Sequence, residues 1–478
     1  MPLRLSLPRQ TIVPLIVACG LFMENLDSTV VATALPAIAR SLHEDPLRLN
    51  LAITSYLLSL AVFIPLSGWL ADRIGARTVF GSAIVVFTLG SIGCGFSETL
   101  GQLVATRMLQ GLGGAMMVPV GRLVLMRTIP KAELVNAMTY LTVPALIGPI
   151  MGPPVGGFIV TYSSWRWIFF INIPIGILGV LLTRRFIPDL TEEVRRPLDG
   201  RGFALTGLGL VGLMFGFETI GRDLLPNQAV GGLLAIGAIC TALYALHARH
   251  TPNPILDLSL FKYVTFRANT MGGTLFRTGI GALPFLLPMM FQLAFGLTAF
   301  SSGLLTFTST AGAMFMKMTA ARIIRRFGFR RVLIGNAVIS TAFILSYALF
   351  KPSTPHALII ATLLAGGFFR SLQFTSLQTI AYAEVAPAQM SQATTMVSVA
   401  QQLALTFGVG LGAMLLHLTV WWSGGAELTP AHFSFAFLGV GLVSLASLPL
   451  FIALPVDAGS EISGRRAAAP SPRAPSGP

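Results

Sequence analysis

Fourteen long apolar segments follow one another along this chain of 478 residues, and they restrict its fold more than any other feature. A helix needs about 20 mostly apolar residues to cross a lipid bilayer. The segments lie at 11–35, 49–71, 78–97, 101–126, 136–161, 165–185, 202–220, 228–248, 268–293, 301–323, 331–350, 356–383, 391–420 and 432–454. Because backbone groups inside a bilayer must hydrogen-bond within the protein, the pattern predicts an all-α integral membrane protein with fourteen transmembrane helices.

The composition excludes the soluble classes of protein. Hydrophobic residues make up 54% of the chain and charged residues 10%, whereas a soluble domain has about 25% charged residues. So few charges cannot cover a water-soluble surface, which rules out a soluble enzyme, a disordered chain and a disulfide-rich secreted module. The three cysteines, Cys19, Cys94 and Cys240, all lie in apolar segments, so we expect neither a disulfide framework nor a metal cluster.

The distribution of basic residues predicts the orientation. With the N terminus in the cytoplasm and the helices alternating in direction, most of the 32 Lys and Arg residues fall on the inner side. Cytoplasmic loops of membrane proteins have such an excess of positive charge. The formal net charge of +14 therefore indicates basic inner loops and not a nucleic-acid partner. An even number of helices then places both termini in the cytoplasm.

A short loop motif occurs twice. Asp-Arg-Ile-Gly-Ala-Arg at 72–77 follows the second helix, and Arg-Arg-Phe-Gly-Phe-Arg at 325–330 follows the tenth. The repeat predicts two related six-helix halves, although any short inner loop can contain glycine and arginine. The predicted parts are an N-terminal six-helix bundle at 1–185, a connector with two extra transmembrane helices at 186–267, a C-terminal six-helix bundle at 268–458 and a disordered cytoplasmic tail at 459–478.

Five stretches of sequence together resemble a known family. They are Leu26–Pro36 in the first helix, Gly68–Arg77 after the second, Arg107–Ala115 in the fourth, Gly148–Gly157 in the fifth and Trp165–Pro174 before the sixth. In combination they closely resemble the major facilitator superfamily, and within it the fourteen-helix drug:proton antiporters. Ala32, Ala76 and Thr78 depart from the family pattern, which commonly has asparagine at the first position and a more basic loop at the other two.

The resemblance implies a fold and an activity. It implies a transporter fold with pseudo-symmetric halves arranged as six, two and six helices, in the inner membrane of a bacterium. It further implies a secondary exporter, not an enzyme, that exchanges small amphipathic compounds for protons. Its partners are then the small-molecule substrate, protons and the lipid bilayer, with no cofactor, no metal and no ATP, and we expect a monomer.

Two acids in the first helix are candidates for proton coupling. Glu24 and Asp27 are three residues apart and so share a helix face. A charge at the bilayer centre costs about 2.5–3.5 kcal/mol, so such residues face a cavity or a partner. The alternative is that the pair extends to the outer interface. Arg107 lies at a similar depth in the fourth helix, and the resemblance assigns it to proton coupling; the alternative is a structural ion pair.

The resemblance places helices 1, 4, 9 and 12 around the substrate cavity. These helices contain Asp27, Arg107, Arg277 and Arg370, and we expect the four side chains to converge on one cavity together with Gln110. Buried charges of this kind are functional-site candidates. Structural pairing of Arg277 or Arg370 with backbone carbonyls is the alternative.

The charges leave two substrate classes open. The segments hold more basic than acidic side chains, whereas a pump for cationic drugs would gain from acids in its cavity. Arginines favour anions through bidentate contacts. Multidrug export comes first on the resemblance, and export of organic anions such as di- or tricarboxylates, or their metal complexes, is the alternative. Lys317 and Arg122 lie near enough to the inner face to extend to it.

Two further motifs concern conformational change. In the fifth helix, glycines at intervals of four clear a stripe for close helix contact, and prolines bend the helix. The resemblance identifies an antiporter motif there, consisting of Gly148, Pro149, Gly152, Pro153, Gly156 and Gly157. After the second helix it identifies a latch between the halves, consisting of Gly68, Asp72, Arg73, Gly75 and Arg77. The alternatives are generic packing and an ordinary exposed turn. Trp165–Pro174 is predicted to be an interfacial aromatic anchor.

The sequence indicates that protons supply the energy for transport. None of the four lysines, Lys131, Lys262, Lys317 and Lys351, stands in a phosphate-binding Gly-Lys-Ser/Thr loop, which excludes an ATP motor in this chain. We find neither a nucleophile–base pair nor a zinc-binding helix motif. One proton crossing a potential of about 100 mV releases about 2.3 kcal/mol, which is enough to drive an exchanger. A channel, which would ignore an imposed pH gradient, is the remaining alternative.

Overall fold

The computed structural model describes residues 9–129, 134–188, 197–219, 226–252, 254–386, 389–424 and 428–459. Within these residues the fold is helical and contains no β-strand. Long helical segments occur at all fourteen predicted positions. The first seven are α1 (Arg9–Leu42), α2 (Asn50–Ile74), α3 (Ala76–Gly95), α4 (Leu100–Thr128), α5 (Leu134–Tyr162), α6 (Trp167–Phe186) and α7 (Gly200–Thr219).

The second seven segments include the most irregular one. They are α8 (Asn227–His250), α9 (Val264–Ala294), α10 (Ala299–Phe327), α11 (Phe329–Leu349), α12 (His356–Ile380), α13 (Met390–Ser423) and α14 (Pro430–Ile452). Two wider π-helical turns interrupt α9, at Ala268–Gly272 and Met290–Ala294. Such turns are rare and often accompany functional sites.

Twelve of the segments are long and apolar enough to cross a membrane, judged on the described residues. The segments α5 and α10 are not among the twelve, so apolarity by itself does not confirm fourteen crossings. The composition of α10 explains why this segment is not among the twelve. It contains several Ser and Thr residues, and Lys317 lies in the middle of its sequence. The two segments pack against each other where the two halves meet.

The packing of the helices repeats between the first six segments and the last six. In the first set α1 packs on α5, α3 on α4, and α2 on α4; in the second set α9 packs on α13, α11 on α12, and α10 on α12. The two sets meet through α5 against α10 and through α2 against α13, which are corresponding pairs. The arrangement is that of a transporter built from two parallel repeats around a central axis.

The repeated loop motif corresponds to a repeated backbone turn. Gly75 separates α2 from α3 with φ +95°, and Gly328 separates α10 from α11 with φ +78°. Residues with a Cβ rarely adopt such angles, so glycine is required at both positions. Each turn reverses the chain between two long helices without any spacer, which explains why the motif occurs twice.

The extra pair α7–α8 forms a hairpin at the side of the interface between the halves. Close contact between Gly212 and Gly237 holds its two helices together. Phe203 of α7 packs on Phe63 of α2 with ring centroids 6.0 Å apart. Phe217 and Phe407 link α7 to α13 at 5.6 Å. The predicted tail at 459–478 lies outside the described residues except for its first residue, as does the 189–196 stretch of the predicted connector.

Candidate functional site

An ion pair is buried inside the first half of the molecule. Asp27 of α1 and Arg107 of α4 are each 1% exposed. A guanidinium nitrogen of Arg107 donates to Asp27 Oδ2 at 2.5 Å. The burial excludes the alternative in which Asp27 extends to the outer interface. It also agrees with the reading of Arg107 as the partner of an acid.

Amide and hydroxyl groups complete the coordination of the Asp27 carboxylate. Gln110 Nε2 and Asn172 Nδ2 donate to Asp27 Oδ1 at 2.8 and 3.1 Å. Both amides also donate to Ser91 Oγ, at 2.8 and 2.9 Å. The carboxylate therefore accepts three hydrogen bonds, one of them from a cation, and such charge-assisted bonds are the strong ones.

Further contacts hold the guanidinium of Arg107. Its Nε donates to the carbonyl oxygen of Ala52 in α2 at 2.9 Å, and a terminal nitrogen donates to Gln110 Oε1 at 2.6 Å. The Tyr56 ring lies under the guanidinium, with its centroid 4.2 Å from Cζ, and the Phe169 centroid lies at 6.0 Å. Side chains of α1, α2, α3, α4 and α6 thus meet at one charged centre.

Glycines let the helices approach closely enough for this network to form. A Cβ on Gly90 of α3 would lie 2.7 Å from the backbone of Gln110. A Cβ on Gly111 of α4 would lie 2.7 Å from the carbonyl oxygen of Tyr56. The Gly-rich sequence of α4 therefore brings α2 and α3 into backbone contact with it, and the short polar side chains can reach across.

The sequence reading did not identify Asn172 and Ser91 as members of the site. Asn172 belongs to the Trp165–Pro174 stretch, which was predicted to be an interfacial anchor. That prediction is wrong in part, because Trp165 is only 5% exposed and Asn172 bonds to Asp27. The signal that could have found these residues is the presence of a hydrogen-bonding side chain in an otherwise apolar segment.

Glu24 lies one helical turn before Asp27 but outside its hydrogen-bond network. It is half-buried, and its Oε2 atom is buried with no hydrogen-bond partner in the described part of the chain. The two carboxylates therefore have different surroundings. Asp27 is saturated with donors, whereas Glu24 has an oxygen that remains unpaired.

A central cavity of about 550 Å³ lies between the halves. It is bounded by α1, α5, α9, α10 and α12. Its polar lining consists of Thr29, Thr33, Thr306, Ser309, Thr310, Lys317, Arg370, Ser371, Thr375, Gln378 and Thr379. Its apolar lining consists of Ala32, Pro149, Pro153, Ile280, Leu283, Pro284, Leu287, Pro288, Ala313, Gly367 and Phe374.

The cavity is positively charged. Its described lining includes two basic side chains, Arg370 and Lys317, and no acidic one. Arg370 donates a hydrogen bond to the hydroxyl of Ser309 across the gap between α12 and α10. The amino-acid sequence of α9 to α14 contains no aspartate or glutamate within any of the six helices. The positive charge therefore has no compensating acid within the helices of its own half.

The predicted convergence of four charges on one cavity is wrong. Of the four, only Arg370 is among the residues that line it. Asp27 and Arg107, with Gln110, form the separate centre inside the first half, because each finds its partners within that bundle. Arg277 is fully buried in α9 and lies behind Phe374.

Two further residues and helices concern the cavity. Lys317 is exposed and lines the cavity, and its extension to the inner face stays a prediction. No residue of α4, which the resemblance placed at the cavity, is among the described lining residues. The segments α5 and α10 contribute in its stead, because they are the pair that joins the two halves.

The residues of the predicted antiporter motif in α5 contact two neighbouring helices. A Cβ on Gly148 would lie 3.0 Å from the backbone nitrogen of Leu26, and Gly152 and Gly156 also lie against α1. Gly157 faces the start of α10. Pro149 and Pro153 line the cavity. The motif therefore joins α1 to the interface between the halves.

The predicted latch residues all lie at the turn between α2 and α3. Gly68 and Arg73 are exposed, and the guanidinium of Arg73 lies 5.1 Å from the Trp69 ring centroid. Asp72 and Arg77 are half-buried. Gly75 forms the left-handed turn. Their role as a latch stays a prediction.

Comparisons with known proteins agree with this architecture. The family profile described as Major Facilitator Superfamily matches residues 17–266 and 270–476. The chain is 40% identical over 441 residues to the protein named "Putative multidrug resistance protein MdtD" of Salmonella heidelberg (strain SL476), covering 91% of this chain and 93% of that protein.

Solved structures share the fold at low sequence identity. The crystal structure of a D-xylose-proton symporter superposes with a TM-score of 0.69 at 16% identity, covering 94% of this chain and 98% of that one. The human organic anion transporter MFSD10 (TETRAN) superposes with a TM-score of 0.58 at 16% identity, covering 93% and 100%. The fold, the family profile and the MdtD relatives together confirm the resemblance seen in the sequence. This chain belongs to the major facilitator superfamily of membrane transporters.

Proposed function

We propose that this protein exports small amphipathic compounds across the bacterial inner membrane in exchange for protons. The MdtD relatives, which are named as multidrug resistance proteins, support the class of activity. The single observation on which the coupling to protons depends is the buried Asp27–Arg107 pair. An ionised carboxylate at this depth is energetically costly, so such residues are usually paired with a partner and mark functional sites.

The proposed topology has fourteen crossings, with both termini in the cytoplasm. The segments α5 and α10 complete the proposed count, since each is a long helix at a predicted position and packs closely on its neighbours. The proposed division is a six-helix bundle at 1–185, a connector with the extra pair at 186–267 and a second bundle at 268–458. The excess of basic residues in the inner loops supports the orientation.

In this orientation the halves are closed against each other on the outer side. Gln292 Nε2 of α9 donates to the carbonyl oxygen of Thr33 in α1 at 2.9 Å. The backbone nitrogen of Phe300 donates to Thr161 Oγ1 at 3.1 Å, and its ring packs on Phe158 and Tyr162. The cavity continues towards the inner ends of α10 and α12. A compound could therefore enter it from the cytoplasm.

Proton binding would act through the Asp27 network. A proton on Asp27 neutralises the carboxylate, so Arg107 loses its counterion and the attraction between α1 and α4 weakens. Arg107 keeps its bond to the Ala52 carbonyl and its contact with the Tyr56 ring, which would hold it in place until the proton leaves. The half-buried Glu24, with its unpaired oxygen, is proposed as a relay for that proton.

The helix α1 would transmit this change to the substrate. The same helix contains Asp27 and the cavity residues Thr29, Ala32 and Thr33. It packs closely on the glycine stripe of α5, which itself contacts α10 of the other half. A shift of α1 upon protonation would therefore alter both the cavity wall and the interface about which the halves rock.

Transport in proteoliposomes tests the proposal. Purified protein is reconstituted with an acidic lumen, and uptake of ethidium and of radiolabelled tricarballylate is followed with and without the pH gradient. We expect gradient-driven uptake by the unaltered protein and its loss in Asp27→Asn. Asp457→Asn, the same change at an exposed site, should transport normally. Uptake by Asp27→Asn that still follows the gradient would contradict the proposal.

A second candidate function is export of organic anions, and the cavity charge favours it. A cavity with Arg370 and Lys317 and no acid in its described lining repels a cationic drug and attracts a carboxylate. The uptake assay distinguishes the candidates. Uptake of ethidium and not of tricarballylate supports a drug exporter, and the reverse supports an anion exporter.

A further inference from the structure

Arg277 is a buried cation that has no counterion among the residues that the structure describes. Its side chain is fully buried in α9. One terminal nitrogen donates to Asn269 Oδ1 at 2.9 Å, and the other donates to the Asn269 carbonyl at 3.4 Å. Its Nε is buried with no hydrogen-bond partner in the described part of the chain. Both of its acceptor groups are neutral, so the positive charge stays uncompensated.

Such a residue requires an explanation. A buried charge that lacks an opposite charge is strongly unfavourable in a protein and more so in a membrane. The sequence offers no acid in α9 to α14 that could approach it. Packing does not require the charge either, because an apolar side chain could fill the same volume. No described residue therefore supplies the missing negative charge.

An aromatic side chain of the cavity lining contacts Arg277. The guanidinium carbon lies 5.2 Å from the centroid of the Phe374 ring, and Phe374 is part of the cavity lining. Arg370, on the same helix as Phe374 and one turn before it, lines the cavity directly. Rotation of the Phe374 ring would expose the second guanidinium beside the first.

The backbone around Arg277 leaves room for its guanidinium. The π-helical turn Ala268–Gly272 immediately precedes Gly273 in α9. A Cβ on Gly273 would lie 2.6 Å from a terminal nitrogen of Arg277, so only glycine leaves that space open. Asn269, which holds the guanidinium, is itself part of the π-helical turn, and its buried Nδ2 has no hydrogen-bond partner in the described part of the chain. A second polar group beside Arg277 is thus unsatisfied there.

We propose that Arg277 is an occluded second anchor for an anionic group of the transported compound, covered by Phe374 in this conformation and uncovered when the compound binds. The inference rests on the proposal that the central cavity is the transport site. Arg370 takes the first anionic group and Arg277 the second. The ring contact that Arg277 gives up is weaker than the charge-assisted hydrogen bonds that it gains. The protein therefore selects compounds with two or more anionic groups over those with one.

Binding to the purified protein in lipid nanodiscs tests the selectivity. The probes are tricarballylate, with three carboxylates, and butyrate, with one. We expect the unaltered protein to prefer tricarballylate, and Arg277→Gln to bind it about 10-fold more weakly or worse while its affinity for butyrate is unchanged. Arg370→Gln should weaken both probes. Arg322→Gln, which removes an exposed charge from the same half, should weaken neither.

Several binding results would overturn the inference. These are a failure of the unaltered protein to bind tricarballylate, an equal loss of both probes in Arg277→Gln, and no loss of either. Competition by sulfate as strong as that by tricarballylate would identify a general anion site and would also overturn it. Arg277→Lys keeps the charge and controls for folding, and it should retain most of the preference.

Chemical labelling tests whether Phe374 covers position 277 when no compound is bound. In a variant with Cys19, Cys94 and Cys240 replaced by serine, Arg277→Cys should react slowly with an anionic methanethiosulfonate reagent. Adding Phe374→Ala should accelerate the reaction about 10-fold or more, and Phe374→Tyr should not. Fast labelling in the presence of Phe374 would overturn the inference. A failure of proton coupling would show only in the Asp27→Asn transport assay and would leave these results unchanged.

Discussion

Arg107 and Arg277 are both buried arginines in transmembrane helices, and their surroundings are opposite. Arg107 pairs with Asp27, bonds to Gln110 and the Ala52 carbonyl, and lies over Tyr56. Among the described residues Arg277 hydrogen-bonds only to Asn269, and it faces Phe374.

The difference shows two ways in which a membrane protein can keep a charge in its interior. The first half contains its own counterion, so its charged centre is complete, and a proton is the species that can disturb it. In the second half no described residue is a counterion to Arg277, and on our proposal this charge is available to an anion from outside. Three experiments on stability test this difference between Arg107 and Arg277.

The largest effect is expected for Arg107→Gln. The change leaves Asp27 buried with amide donors and no cation, and breaking a buried ion pair by removing one partner costs about 3–5 kcal/mol. The thermal unfolding midpoint of the purified protein should fall accordingly. Combining the change with Asp27→Asn should recover most of the loss. A double variant as unstable as the single one would show that the two charges are not coupled.

A smaller effect of opposite sign is expected for Arg277→Gln. The substitution removes an uncompensated charge and keeps a hydrogen-bonding group near Asn269, so the free energy of unfolding should rise by about 1–3 kcal/mol. Thermal unfolding of the variant beside the unaltered protein measures the change, and Arg322→Gln is the control for loss of charge. Destabilisation similar to that of Arg107→Gln would mean that Arg277 has a partner after all, and the contrast between the halves would fail.

The smallest effects concern the glycines beside the two centres. A Cβ on Gly90 would meet the backbone of Gln110 at 2.7 Å, which cannot move without shifting α4, so Gly90→Ala should cost about 1–3 kcal/mol. A Cβ on Gly273 would meet the end of the Arg277 side chain, which can move. Gly273→Ala should therefore leave the unfolding midpoint nearly unchanged. Equal losses in both variants would indicate that the second centre is packed as rigidly as the first.

Much of the fold could be predicted because its causes are local. The length and apolarity of the segments predicted helices at all fourteen positions, and the glycine at the repeated turn predicted related halves. The depth of Asp27 and of Arg107 in their helices also predicted that they could meet. Composition gives little support to a membrane crossing of α10, because several of its polar residues line a cavity that the sequence does not display.

The candidate site was predicted less well, because its geometry depends on the rotation of each helix about its axis. The spacing of residues does not determine that rotation; the contacts of neighbouring helices do. Gln110 and Arg277 were therefore assigned to the cavity, and Lys317 was assigned to the membrane surface. Asn172 was overlooked, because its contact with Asp27 depends on the approach of α6 to α1.

The amino-acid sequence was enough to show that this protein lies in a membrane and that the helices of its second half lack acids, and it predicted two related halves with an inserted pair of helices. Those properties depend on composition and on order along the chain. Which charges pair and which face the cavity depends on the tertiary structure. The physical reason is that an ion pair requires atoms within about 3 Å of each other. Helix packing places Asp27 at that distance from Arg107, and it places no acid there for Arg277 among the residues that the structure describes.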